Sequence, residues 1–182
     1  MTSVKRLTAI GSAAMPLLLS FAIPAIAADV NCDQTDPALH YWRPIRERAA
    51  ESELAADALA LELISCLGSP NPELRDKIGY ELFTYWLRQD KLTDETRRAL
   101  LVSLQASLTD PDALRRSFSA LVLAEVMRSD ANKSFTTAGE RQGLLDSAQL
   151  ALEAESDYRG LDADIGWVHP VAHMADLLWR FA

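Results

Sequence analysis

Leu67-Gly68-Ser69-Pro70-Asn71-Pro72-Glu73-Leu74-Arg75 and Leu108-Thr109-Asp110-Pro111-Asp112-Ala113-Leu114-Arg115 share one plan: a Leu closing an apolar run, a polar turn carrying proline, and a Leu-Arg pair opening the next run. Proline is tolerated in the first turn of a helix and not in its interior, so each copy ends one helix and starts another. Leu74-Arg75 recurs as Leu114-Arg115, a shift of 40 residues. A period of ~40 residues belongs to stacked helical hairpins of the HEAT type.

Outward from these turns, apolar residues recur at spacings of three and four, and no stretch alternates as a strand would. Leu74, Ile78, Leu82, Tyr85 and Trp86 mark one helix face, and Leu100, Leu101, Leu104 and Leu108 another. Leu114, Phe118, Leu121 and Val122 follow, then Leu144, Leu145, Ala148 and Leu152, and finally Val171, Met174, Ala175, Leu178 and Phe181. Glu53 to Leu67 is apolar on most sides, which marks it as a central buried helix. Thr93, Asn71 before Pro72, Asp110 before Pro111, and the pair Thr137 and Glu140 are start signals. The expected fold is all-α: a short HEAT-like superhelix of helices 53–67 with 72–88, 94–108 with 111–128, and 137–155 with 167–181. A plain helical bundle is the alternative, because proline turns also occur between bundle helices.

The chain has 182 residues, 49% of them hydrophobic, with seven Gly, eight Pro and a formal charge of −8. These values exclude a disordered or collagen-like chain and a basic nucleic-acid binder. Residues 1–28 contain no acid; Lys5 and Arg6 precede an apolar stretch that ends in Ala25-Ile26-Ala27. This is the pattern of a secretory signal over residues 1–27, followed by an N-terminal arm and first helix over 28–52 and a helical domain over 53–182. A retained anchor is the other reading, but Pro16 and Pro24 interrupt the apolar core. No later apolar run is long enough to span a bilayer. The protein is therefore expected in the periplasm or outside the cell, where Cys32 and Cys66 would form a disulfide.

If the hairpins stack in register, the starts at Pro72, Pro111 and Pro170 share an edge with the long loop from Ser156 to Val168. That edge gathers Arg75, Asp76, Arg115, Arg116, Ser117, His169 and His173. Arg75 and Arg116 could clamp an anion through their guanidinium forks, or could form ion pairs between repeats. Trp167 could be a stacking platform or a core plug. His169 and His173 lie four apart, so on a helix they project about 40° from each other, a spacing that suits one metal ion. Asp176 is about 10 Å along the axis from His169, so a third ligand would come from Asp162 or Asp164 of the loop. The Glu of a metalloprotease helix is missing. Asp176 instead suits a partner for His173 or an ion pair with Arg180. Without a metal, the two histidines are helix-start residues bonded to loop backbone.

Three stretches taken together resemble a known family: Ser69 to Asp76 with Tyr80-Glu81; Arg116 to Leu121; and Arg159-Gly160 followed by Gly166 to His169 and Ala172 to Leu178. The resemblance, from about Leu63 to Ala182, is to the bacterial family catalogued as domain of unknown function 2785. It implies an all-helical, HEAT-like domain with Arg75, Asp76, Tyr80, Glu81, Arg116, Ser117, Arg159, Trp167, His169, His173 and Asp176 at the family's matching positions, and no activity. Pro170 departs from the small helix formers common there, and the export signal departs from the many relatives that look cytoplasmic. The function expected is a non-enzymatic binding module for a protein, peptide or small anionic ligand, with no cofactor and no nucleic-acid partner. The alternatives are a metal-dependent hydrolase on His169 and His173 and a purely structural envelope protein.

Overall fold

The computed structural model describes residues 32–51 and 55–182. The expected secretory signal over residues 1–27 lies outside the described residues. Among the described residues seven α-helices follow in order: α1 (Thr35–Glu47), α2 (Ala56–Leu63), α3 (Glu81–Arg88), α4 (Asp94–Ala106), α5 (Ala113–Asn132), α6 (Ala138–Ala154) and α7 (Pro170–Leu178). Tight 3-10 turns extend α2 over Ile64–Gly68, α4 over Ser107–Thr109 and α7 over Trp179–Phe181. The fold is all-α apart from one ribbon in the long loop, β1 (Leu161–Asp162) against β2 (Gly166–Trp167), antiparallel.

Local chemistry explains where the helices begin. Thr93 Oγ1 accepts the Thr96 amide and opens α4, and Thr137 and Glu140 form a reciprocal capping box at α6. The expected start at Pro111 moves to Ala113. Asp110 spends its Oδ1 on the Asp112 amide, and Asp112 in turn accepts the Leu114 amide as the cap. The helix expected over 72–88 is not uniform either: Glu73–Tyr80 winds as a wider π-helix before α3. Gly79 permits close packing there, since a Cβ would lie 3.1 Å from the Leu74 carbonyl and 3.3 Å from Leu67.

The helices make two layers. In one, α4 packs between α2 and α6; in the other, α5 packs between α3 and α7, and each hairpin joins the layers. α5 is consequently the central helix. Leu114, Phe118, Val122, Leu123 and Val126 are buried along it, and its polar Glu125 and Asp130 are buried too. Of the segment expected to be central, 53–67, the described part, 55–67, lies at the end of its layer and leaves Leu61 45% exposed. Its alanine-rich surface is apolar without being covered on all sides.

α1 adds to the second layer by packing on the π-helical segment through Ala38, Leu39 and Trp42. Arg43 grips Glu73 with two bonds of 2.6 and 2.7 Å, and Arg46 reaches Glu81. A disulfide joins Cys32 to Cys66, fastening the chain ahead of α1 to the turn after α2. Ser69 adds a hydrogen bond from its hydroxyl to the Cys32 carbonyl.

The two turns of the internal repeat superpose in function at a shift of 41 residues, not 40. Arg75 Nη1 donates to the Ser69 carbonyl six residues back, and Arg116 Nη1 donates to the Asp110 carbonyl, also six back. Arg115, which the sequence pairs with Arg75, instead points to the carbonyls of Ile64 and Ser65 in the preceding hairpin.

Candidate functional site

The starts of the π-helical segment, α5 and α7 meet the loop between α6 and α7. Three fixed points hold that loop. At its entry, Glu155 caps the amides of Ser156 and Asp157 and receives both arms of Arg116. Burial alone would raise the Glu155 carboxyl, but Arg116 and the two amides hold it below the usual range. At the ribbon tip, Asp162 Oδ1 accepts the amides of Asp164 and Ile165, and Arg159 bonds both Asp157 and Asp162. At the base, the Val168 amide donates to the Gly160 carbonyl at 2.9 Å.

Arg75 supplies the tie to the rest of the fold. Its side chain is fully buried, and it donates to the carbonyls of Ser69, Ile165 and Trp167 at 3.1, 2.9 and 3.3 Å. Nε pairs with Asp76 at 2.8 Å, and the guanidinium lies 4.7 Å over the Phe118 ring. Burial pushes the Asp76 carboxyl up against the pull of Arg75. Gly166 takes φ +77° beside Arg75, where a Cβ would stand 3.6 Å from Arg75 Nη2.

Ser117 and His173 form the inner wall. The Ser117 hydroxyl donates to the Val168 carbonyl, and its Oγ lies 2.8 Å from His173 Nδ1. A hydroxyl carries one proton, so with that proton on Val168 the histidine must be the donor. The arrangement assigns His173 the neutral Nδ1–H tautomer. Burial, with the neighbouring His169 and Arg75 adding to it, lowers its pKa to about 4. Phe118 meets the ring edge-on at 5.0 Å.

His169 caps α7 in a left-handed conformation, φ 47°, an uncommon geometry for a residue with a Cβ. Its ring stacks on Trp167 at 4.4 Å and stands 5.9 Å from His173. Trp167 is half exposed and lies opposite Leu161 in the ribbon, while Val168 is the buried plug. Beside this stack a pocket of about 380 Å³ is lined by Tyr158, Arg159, Gly160, His169, Val171, Ala172 and Ala175.

The structure thus brings Arg75, Asp76, Ser117, Trp167, His169 and His173 to one place, with Arg116 and Arg159 bracing its loop. It does not bring the others. Glu81 faces α1, paired with Arg46 and Lys77. Tyr80 packs half-buried against the core. Asp176 is exposed and pairs with neither His173 nor Arg180; Arg180 lies nearest Glu125 instead, at 4.0 Å. Sequence reasoning missed Tyr158, Leu161, Val171, Ala172 and Ala175. An aromatic residue beside Arg159-Gly160 in an otherwise polar loop is the signal that could have found Tyr158.

The chemistry open to this site is narrow. Ser117 is 1% exposed and its proton is committed, so it is no nucleophile. Among the described residues no three His, Cys, Asp or Glu side chains converge as metal ligands. Asp162, expected alongside Asp164 as a source of the third ligand, is spent on its own turn and on Arg159. The arginines expected to clamp an anion are spent likewise: Arg75 on carbonyls and Asp76, Arg116 on Glu155.

Residues 85–182 match the family described as "Protein of unknown function (DUF2785)". The match begins at Tyr85, later than the Leu63 suggested by inspection, so Arg75, Asp76, Tyr80 and Glu81 precede it. No curated protein and no solved structure matches the chain.

Proposed function

Because the chain belongs to the DUF2785 family, which brings no activity with it, we propose from the site alone that this is an exported, non-enzymatic binding module. It receives an apolar side chain of a peptide or protein in the pocket beside Trp167 and His169. The observation that carries this reading is the contrast between frame and surface. Behind the edge, the polar groups named above are paired within the protein. On it, Tyr158, Leu161 and Trp167 are 79%, 65% and 50% exposed, next to a preformed pocket. Isolated exposed apolar residues are ordinary, but aromatics clustered at a concavity on a rigid support are the composition of a binding hot spot. The Cys32–Cys66 disulfide, and the lack among the described residues of a helix long and apolar enough to cross a membrane, support export.

The test is a peptide display selection on the purified protein, with each recovered peptide measured against Trp167→Ala and His169→Ala. Peptides that lose about tenfold or more in affinity for both variants support the reading; truncating a hot-spot residue costs this much or more. Peptides bound equally by wild type and both variants would place recognition elsewhere.

A further inference from the structure

Away from that edge, Glu125 lies midway along α5, 3% exposed, amid arginines from three helices. Arg88, the last residue of α3, bonds both its oxygens, at 2.7 and 2.9 Å. Arg128 adds a bond from Nε at 2.8 Å, and Arg180, just past α7, brings Nη2 to 4.0 Å. Burial alone would raise the Glu125 carboxyl, but Arg88 and Arg128 hold it below the usual range.

The donor inventory is out of balance. Three guanidiniums carry about fifteen N–H donors, and one carboxylate offers about four acceptor positions. Arg128 Nη2 is buried without an acceptor. Asp176, one turn before Arg180, is not within ion-pair distance of it. Arg88 and Arg180 follow the carbonyl ends of their helices, where a cation is favoured in any case, but Arg128 lies within α5 and has no such reason to be there. The cluster is also open to solvent: the three arginine side chains are 48%, 26% and 28% exposed. Trp179, 70% exposed, stacks under Arg180 at 5.7 Å.

We propose that Arg88, Arg128 and Arg180 form an oxyanion site, separate from the Trp167 edge, that takes the phosphate or carboxylate group of a small solute. Glu125 orients the guanidiniums from below, and the oxyanion accepts from the donors Glu125 leaves free. Planar forks suit both kinds of group, and Trp179 supplies a flat surface for the remainder of the solute.

The experiment is a titration of the full chain, following the arginine Nε–Hε signals by NMR. Inorganic phosphate forms one arm, citrate the other, and chloride at equal ionic strength the control. Saturable shifts of the Arg88, Arg128 and Arg180 signals with either oxyanion and not with chloride support the site, and the tighter arm identifies its class. Arg180→Gln, which removes a surface side chain, should keep the wild-type unfolding midpoint in chloride and bind about tenfold more weakly. Arg180→Lys keeps the charge without the fork and should fall between. No saturable shift in either arm, or the same affinity in wild type, Arg180→Gln and Arg128→Gln, overturns the proposal.

Discussion

Arg75 donates from Nη2 to the carbonyl of Ile165 across 90 residues of sequence, and the same nitrogen reaches Trp167. One buried guanidinium therefore fixes the ribbon that carries the exposed Trp, as well as the turn before its own helix. Replacing it with Met would leave the carbonyls of Ser69, Ile165 and Trp167 without their donor and Asp76 without its cation. Removing one partner of a buried charged pair costs about 3 to 5 kcal/mol, and urea unfolding of Arg75→Met should show a loss of that order. Arg75→Lys should recover little, because an ammonium on a single stem cannot span three carbonyls and a carboxylate.

His173 makes stability depend on pH in a defined window. Its pKa falls from the ordinary 6.5 to about 4 in the folded protein, burial being the main cause. Above 6.5 the ring is neutral folded or unfolded, and it contributes no pH dependence. Between 6.5 and 4 the unfolded chain takes up a proton that the folded one refuses, so stability falls as pH falls. Below 4 both forms are protonated and the loss is complete, at about 3 kcal/mol. In His173→Asn the side-chain amide stands where Nδ1–H stood and still donates to Ser117. Unfolding curves from pH 7 to 4 should be flatter for this variant than for wild type, by that amount over the window. Parallel curves would show that the ring is already charged in the fold.

What the sequence made legible was local. Thr93 and the Thr137–Glu140 box act on amides within three residues, so the starts of α4 and α6 can be read from neighbours alone. The disulfide was legible as well, because two cysteines offer one intramolecular pairing. The site was legible as a place and not as a mechanism. Arg75, Ser117 and His173 do meet, but Ser117 turns its proton to Val168, and Arg116 turns to Glu155, a residue that carries no motif. Which acceptor a long side chain selects depends on how the loop folds over it, and spacing along a helix does not encode that. The extra winding at Glu73–Tyr80 was equally hidden, since a wider turn keeps the same apolar residues buried.

The Cys32–Cys66 bond should contribute to stability chiefly by restricting the unfolded chain. The two residues are 34 apart. A loop of that size corresponds to about 3 to 4 kcal/mol in the chain-entropy treatment. Unfolding of the double variant Cys32→Ala with Cys66→Ala, against oxidised wild type, should show this difference. Mass spectrometry of unreduced peptides should find the two linked, and free thiols in material from an oxidising compartment would contradict the bridge.

Two glycines should respond to alanine with opposite signs. Gly166 holds φ +77° at the ribbon, and a Cβ there would stand 3.4 Å from Pro72 Cγ and 3.6 Å from Arg75 Nη2. The left-handed backbone alone costs a residue with a Cβ about 1 to 2 kcal/mol, and the flanking contacts are ordinary ones that do not offset it. Gly143 lies inside α6, and a Cβ there would meet nothing within 4 Å. Alanine should restrict the unfolded chain and favour the helix by about 1 kcal/mol. Paired unfolding measurements on Gly166→Ala and Gly143→Ala should therefore move apart, the first losing stability and the second gaining it. The first should also weaken whatever binds at Trp167, because Trp167 is the next residue along the strand and Arg75 anchors both flanks of the turn. A stable Gly166→Ala with unaltered binding would mean that the ribbon is free to take another path.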